Sequence, residues 1–132
     1  MMRTEKKAPL VATLLMLALA TAPTLGAETR TLNGEFTWTQ GAKGDLEAVF
    51  TPTGEGTWDV AFHFTFDGQA HTYAGTAKGS LVGGTLAGEV KNDSGNRRFR
   101  FDGTVKDSHF EGTHAEIHDG KAVETGTLSL AG

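Results

Sequence analysis

The chain has 132 residues, 18 glycines, no cysteine and a formal net charge of −4. That length is one domain's worth of chain. The missing cysteine excludes a disulfide framework, a thiolate metal site and a cysteine nucleophile, and the acidic balance argues against sequence-independent nucleic-acid binding.

Residues 1–27 read as a cleavable signal peptide. Arg3, Lys6 and Lys7 form a basic head, an apolar run from Leu10 to about Ala22 follows, and small residues precede an expected cut after Ala27. The run is shorter than the roughly 20 residues needed to span a bilayer. The expected localisation is therefore export, periplasmic or secreted. With Arg3, Glu5, Lys6 and Lys7 set aside, residues 28–132 carry 9 basic and 15 acidic residues, a net charge of −6. Nothing in this part is apolar enough to cross a membrane as a helix.

From Glu28 onward the chain alternates with period two. Leu32, Phe36 and Trp38 share one face, then Leu46, Ala48 and Phe50. Trp58-Asp59-Val60-Ala61-Phe62-His63-Phe64-Thr65-Phe66 is the cleanest segment, with large apolar residues at even positions. Tyr73 and Ala77 line up with His71. Val82, Leu86 and Val90 share a face, as do Phe99, Phe101 and Val105; Phe110 opens a further strand, and Leu128 and Leu130 finish the last. Seven turn signals separate these runs, among them Asp67-Gly68, Asn92 to Asn96 and Asp119-Gly120, so eight strands are expected.

All eleven aromatic residues carry inward parity. An open sheet with that payload needs a covering layer, and no helical pattern supplies one. The expected fold is an all-β domain over 28–132, a single antiparallel up-and-down barrel of about eight strands, with a two-sheet sandwich as the alternative. In that architecture the chain resembles the small meander barrels of the lipocalin-like and avidin-like groups. Gly56-Thr57-Trp58 echoes the lipocalin Gly-x-Trp strand but falls on the third strand, not the first. A glycine followed by Thr or Glu recurs at Gly34, Gly75, Gly84, Gly88, Gly103, Gly112 and Gly126. Most of these point inward, where glycine lets strands coil and leaves gaps for neighbouring rings.

Two function classes follow. One is a binding module that holds a small apolar or amphipathic ligand among Trp38, Trp58, Phe64, His71 and Tyr73. The other is a structural or interaction protein of the cell envelope, inhibitor-like or accessory, with a filled core and an extracellular or envelope protein as partner. Interior volume separates them: rings that fill the glycine gaps are expected to leave no pocket. Catalysis is a distant third, since no serine sits in a nucleophile elbow and the inner face offers few carboxylates beyond Glu116 and Glu124. His114, Glu116 and His118 share one strand face, about 7 Å apart in successive pairs, and form the one candidate set for a divalent metal; otherwise no cofactor is expected. Arg97, Arg98 and Arg100 form a basic cluster in which Arg97 faces in, and pairing with acidic neighbours is the expected role.

Overall fold

The computed structural model describes residues 28–132; the expected export segment, 1–27, lies outside the described residues. Eight strands follow one another: β1 (Arg30–Trp38), β2 (Lys43–Gly54), β3 (Thr57–Phe66), β4 (Gln69–Gly79), β5 (Gly83–Lys91), β6 (Arg98–Lys106), β7 (His109–His118) and β8 (Lys121–Ala131). Each pairs antiparallel with the next. β1 also pairs with β8 from Asn33↔Ala131 to Trp38↔Gly126, which closes the barrel and rules out the sandwich. Closure leaves the large apolar faces no choice but to pack on one another inside, in the absence of any helix among the described residues. No helix there is long and apolar enough to cross a membrane.

The turns work as their residues dictate. Asp67-Gly68, Asp107-Ser108 and Asp119-Gly120 hold positive φ at both central positions, the mirror-image turn that matches strand twist in a two-residue hairpin. The four connections β1–β2, β3–β4, β5–β6 and β7–β8 lie at one end of the barrel, and the termini with the other three connections lie at the opposite end.

At the end that carries the termini the barrel is filled. Leu32, Phe50, Leu86, Phe110 and Leu130 are fully buried there, and Phe50 meets Trp58 edge to face at 6.3 Å. Leu81, from the β4–β5 connection, closes this end and is also buried. The expectation that Val82 joins the core is corrected: Val82 is 62% exposed and Leu81 takes its place. The strand stops at Gly79, and Ser80 Oγ accepts hydrogen bonds from the amides of Val82 and Gly83. That tight turn breaks the alternation on which the parity reading rests.

The inward glycines serve strand coiling and ring packing together. A Cβ at Gly126 would collide with the Thr37 carbonyl and lie 2.6 Å from the His114 ring; one at Gly88 would collide with the Thr76 carbonyl and lie 2.7 Å from Phe101. Neighbouring backbone and rings already occupy the space that a side chain would need.

A second correction concerns Glu124. A bulge at Thr125 sets His114 opposite Gly126 but Ala115 opposite Glu124. The extra residue reverses parity beyond it, so Glu124 is exposed on the outer face, not the inner one.

Candidate functional site

The half of the barrel that carries the four connections is not filled. It holds a cavity of about 290 Å³, open at that end. β3 supplies Phe62, Phe64 and Phe66, β1 supplies Phe36 and Trp38, β4 supplies His71 and Tyr73, and β6 supplies Phe99 and Phe101. Alternation puts these rings inside. The strand lengths decide that they sit near the mouth.

The rings interlock along the wall. Phe64 stacks on His71 at 5.3 Å, and it meets Phe36 at 5.4 Å and Tyr73 at 5.6 Å. Phe99 meets Tyr73 at 5.6 Å and Trp38 at 5.8 Å, both edge to face. These contacts fix the wall in a geometry favoured by aromatic quadrupoles. Phe62 meets Phe101 at 5.1 Å towards the filled half. The expectation that ring-filled glycine gaps leave no pocket is therefore corrected. Rings fill the gaps and a cavity persists, because the filled half and the open half lie at different heights along one barrel axis.

The mouth is asymmetric. β4 begins at Gln69, yet its pairing with β5 begins only at Ala74↔Lys91. β5 stops there, and the chain crosses through Asn92–Arg97 to β6. A notch is left between β4 and β6, beside Tyr73. Arg97 stands in it, held by its own loop. Its amide donates to Asn92 Oδ1 at 3.1 Å, and Asn92 Nδ2 donates to Asn96 Oδ1 at 2.7 Å.

Arg97 reaches inward to Glu116 on β7. Nε donates to Oε2 at 2.9 Å and Nη2 to Oε1 at 3.0 Å, a bidentate pair. The Arg97 side chain is 45% exposed and that of Glu116 only 12%. The guanidinium carbon lies 5.3 Å from the Phe99 ring and 6.0 Å from Trp38. The hydrogen bonds from Arg97 hold the Glu116 carboxyl below its usual pKa, against the opposing effect of burial. The same bonds raise the Arg97 pKa, with a further contribution from the Tyr73 phenol.

His114 sits below this pair. Its Nε2 lies 2.8 Å from the Thr37 carbonyl, which can only accept, so Nε2 carries the proton. Nδ1 then accepts from the Thr125 hydroxyl at 2.7 Å, the residue that the bulge inserts. Burial lowers the His114 pKa, opposed by the Thr37 hydrogen bond and by Glu124, so the ring is neutral at pH 7.

The expected ligand-binding residues divide. Trp38, Phe64, His71 and Tyr73 line the cavity. Trp58 does not, and that placement is corrected: it packs on Phe50 in the filled half and donates Nε1–H to the Gly79 carbonyl at 3.0 Å. Parity assigns a face but not a height along the barrel. The metal candidates do not converge. Both ring nitrogens of His114 are engaged, both oxygens of Glu116 hold Arg97, and His118 is exposed with Nε2 3.5 Å from Glu116 Oε1. Among the described residues no three such side chains are gathered to hold a metal ion. The basic cluster pairs as expected at Arg97 and at Arg98, whose Nη2 donates to Glu89 at 2.6 Å. Sequence reasoning missed Phe36, Phe62, Phe66 and Phe99 as cavity residues, although their parity was available, and it missed Arg97 as the partner of Glu116.

The chain matches no protein-family model, no curated protein and no solved structure.

Proposed function

We propose that this protein is an exported binding module that takes a small apolar or amphipathic molecule into the open half of the barrel. The observation that carries the reading is the cavity of about 290 Å³ walled by interlocked aromatic rings and open at one end. It lies near the lower limit of ligand pockets, roughly 300 Å³. At about 30 Å³ per water-sized group, it suits a molecule of roughly ten non-hydrogen atoms inside, with more at the mouth. An apolar wall with a few polar groups at its rim is the usual build of such a site. Ordered rings on rigid strands also lose little entropy when a ligand enters.

The test is titration with the neutral dye N-phenylnaphthylamine, read by dye fluorescence and by quenching of Trp38. Saturable binding is expected for the native chain, and a large loss for Val90→Trp, which fills the cavity from β5. Circular dichroism checks that the variant keeps its strands. Absence of saturable binding, or equal binding by folded Val90→Trp, would overturn the reading.

A further inference from the structure

We propose that the molecule held in the cavity is an organic monocarboxylate, with its acid group in the notch between β4 and β6, on the free edge of the Arg97 guanidinium and the Tyr73 hydroxyl. This rests on the binding role proposed above and adds the chemistry of the head group.

Arg97 has five N–H donors in a planar fork. Nε and one Nη2 hydrogen are committed to Glu116, while Nη1 donates to no hydrogen-bond partner among the described residues. The Arg97 side chain is nearly half exposed and lines the cavity, so this second edge is within reach of a molecule at the mouth. Its plane is steadied by Trp38 and Phe99, and its backbone by Asn92.

Tyr73 is 8% exposed and lines the same cavity. Its hydroxyl makes no hydrogen bond among the described residues, so its O–H is free to donate. His71, one strand turn nearer the rim, has no hydrogen-bonding partner for either ring nitrogen among the described residues, and it stacks on Phe64.

The two acceptors beside Arg97, Glu116 and His114, are by contrast engaged. Both Glu116 oxygens hold Arg97, and the two His114 nitrogens are engaged by Thr37 and Thr125. A cationic head group would enter the aromatic wall but find the Glu116 carboxylate already occupied by Arg97. A head with two acceptor oxygens meets unused N–H and O–H donors. A carboxylate has that shape, and the guanidinium fork matches it in plane and spacing.

Arg97 would then bridge two carboxylates, Glu116 inside and the ligand at the rim. Glu116 cancels part of the guanidinium charge. The head group is therefore expected to improve affinity by about tenfold, the lower range for hydrogen bonds to a charged group.

The experiment is competition against N-phenylnaphthylamine at neutral pH by decanoate, decanol and decyltrimethylammonium, with naphthoate as an aromatic acid. Decanoate is expected to displace the dye at about a tenth of the decanol concentration, with decyltrimethylammonium weakest. The decanoate-to-decanol ratio is expected to approach one in Tyr73→Phe combined with Arg97→Lys, which keeps a positive charge for Glu116 but loses the fork. Arg97→Met combined with Glu116→Met removes the pair without stranding a charge, and the ratio is expected to collapse there as well. Where decanoate outcompetes decanol, naphthoate stronger than decanoate marks the acid as aromatic, and the reverse as aliphatic. Equal displacement by decanoate and decanol, or tighter binding of the ammonium, would overturn the head-group assignment and leave the cavity's binding role standing. If the dye itself fails to bind, both fall.

Discussion

The Arg97–Glu116 pair allows a sharp energetic test, because its two members differ in exposure. Consider Arg97→Met, Glu116→Met and the double substitution. Losing Arg97 leaves the Glu116 carboxylate, only 12% exposed, without its bidentate partner. Stranding a buried charge costs about 3 kcal/mol, at the lower edge of the usual range because water reaches the mouth. Losing Glu116 leaves an Arg97 side chain that is 45% exposed and can turn to solvent, at about 1 kcal/mol. Replacing both by methionine leaves no unpaired charge and is expected to cost at most about 1 kcal/mol. The double-mutant cycle then returns a coupling of about 3 kcal/mol. For a domain of this size, each kcal/mol moves Tm by roughly 5 °C. Thermal unfolding by circular dichroism at neutral pH should therefore place Arg97→Met about 15 °C below the native chain and Glu116→Met about 5 °C below it. In acid the difference between the native chain and Arg97→Met should shrink. Arg97 lowers the Glu116 pKa below the 4.5 of a free glutamate, so the pair's contribution is complete above about pH 4.5 and lost as pH falls through the folded value. Equal losses for the two single variants, or a strictly additive double variant, would refute the asymmetry argued from exposure.

Trp58→Phe removes the hydrogen bond to the Gly79 carbonyl in the filled half and should cost about 1 kcal/mol in urea unfolding. Dye affinity should be unchanged, since Trp58 lies outside the cavity; a marked loss of affinity would place the binding site at the wrong end. His114 supplies a separate pH signature. Burial lowers its folded pKa below the 6.5 of a free histidine, so its contribution is complete above about pH 6.5 and lost as pH falls through the folded value. The urea midpoint should begin to decline below about pH 6.5, and His114→Gln should flatten that decline. An unaltered pH slope in His114→Gln would remove His114 as its source.

The strands were legible because period-two alternation and turn chemistry are local properties of the chain. The aromatic payload required a second covering layer, since eleven inward rings have no helix to pack on, but it was the pairing of β1 with β8 that chose a closed barrel over a sandwich. What parity cannot encode is height along the axis. Trp38 and Trp58 read alike in sequence, yet one lines the cavity and the other the filled half. Nor can parity register one inserted residue: the bulge at Thr125 moved Glu124 outward and gave His114 a hydroxyl partner. His114, Glu116 and His118 were placed on one face of one strand. Their chemistry is instead set by Thr37, Thr125 and Arg97, which arrive from β1, β8 and the β5–β6 loop. Thr125 and Arg97 lie 11 and 19 residues from the side chains they hold, whereas Thr37 lies 77 residues away and reaches His114 only because the barrel closes.

The ion pair and the cavity belong to the same structural feature. A carboxylate enclosed in the filled half, among Leu32, Phe50 and Phe110, would face a desolvation cost that one partner rarely offsets. At the mouth the cost is smaller, because β5 ends at Lys91 while β4 continues to Gln69 and leaves a notch that water can enter. That same shortfall of pairing creates the opening into the aromatic chamber. The loop from Asn92 to Arg97 spans the notch and is stiffened by its own hydrogen bonds, so the guanidinium is positioned before any ligand arrives. Extending β5 across the notch would pair the bare edge of β4 and remove the place where Arg97 stands. The early end of one strand thus admits water, permits an interior charge and gives the chamber its polar rim.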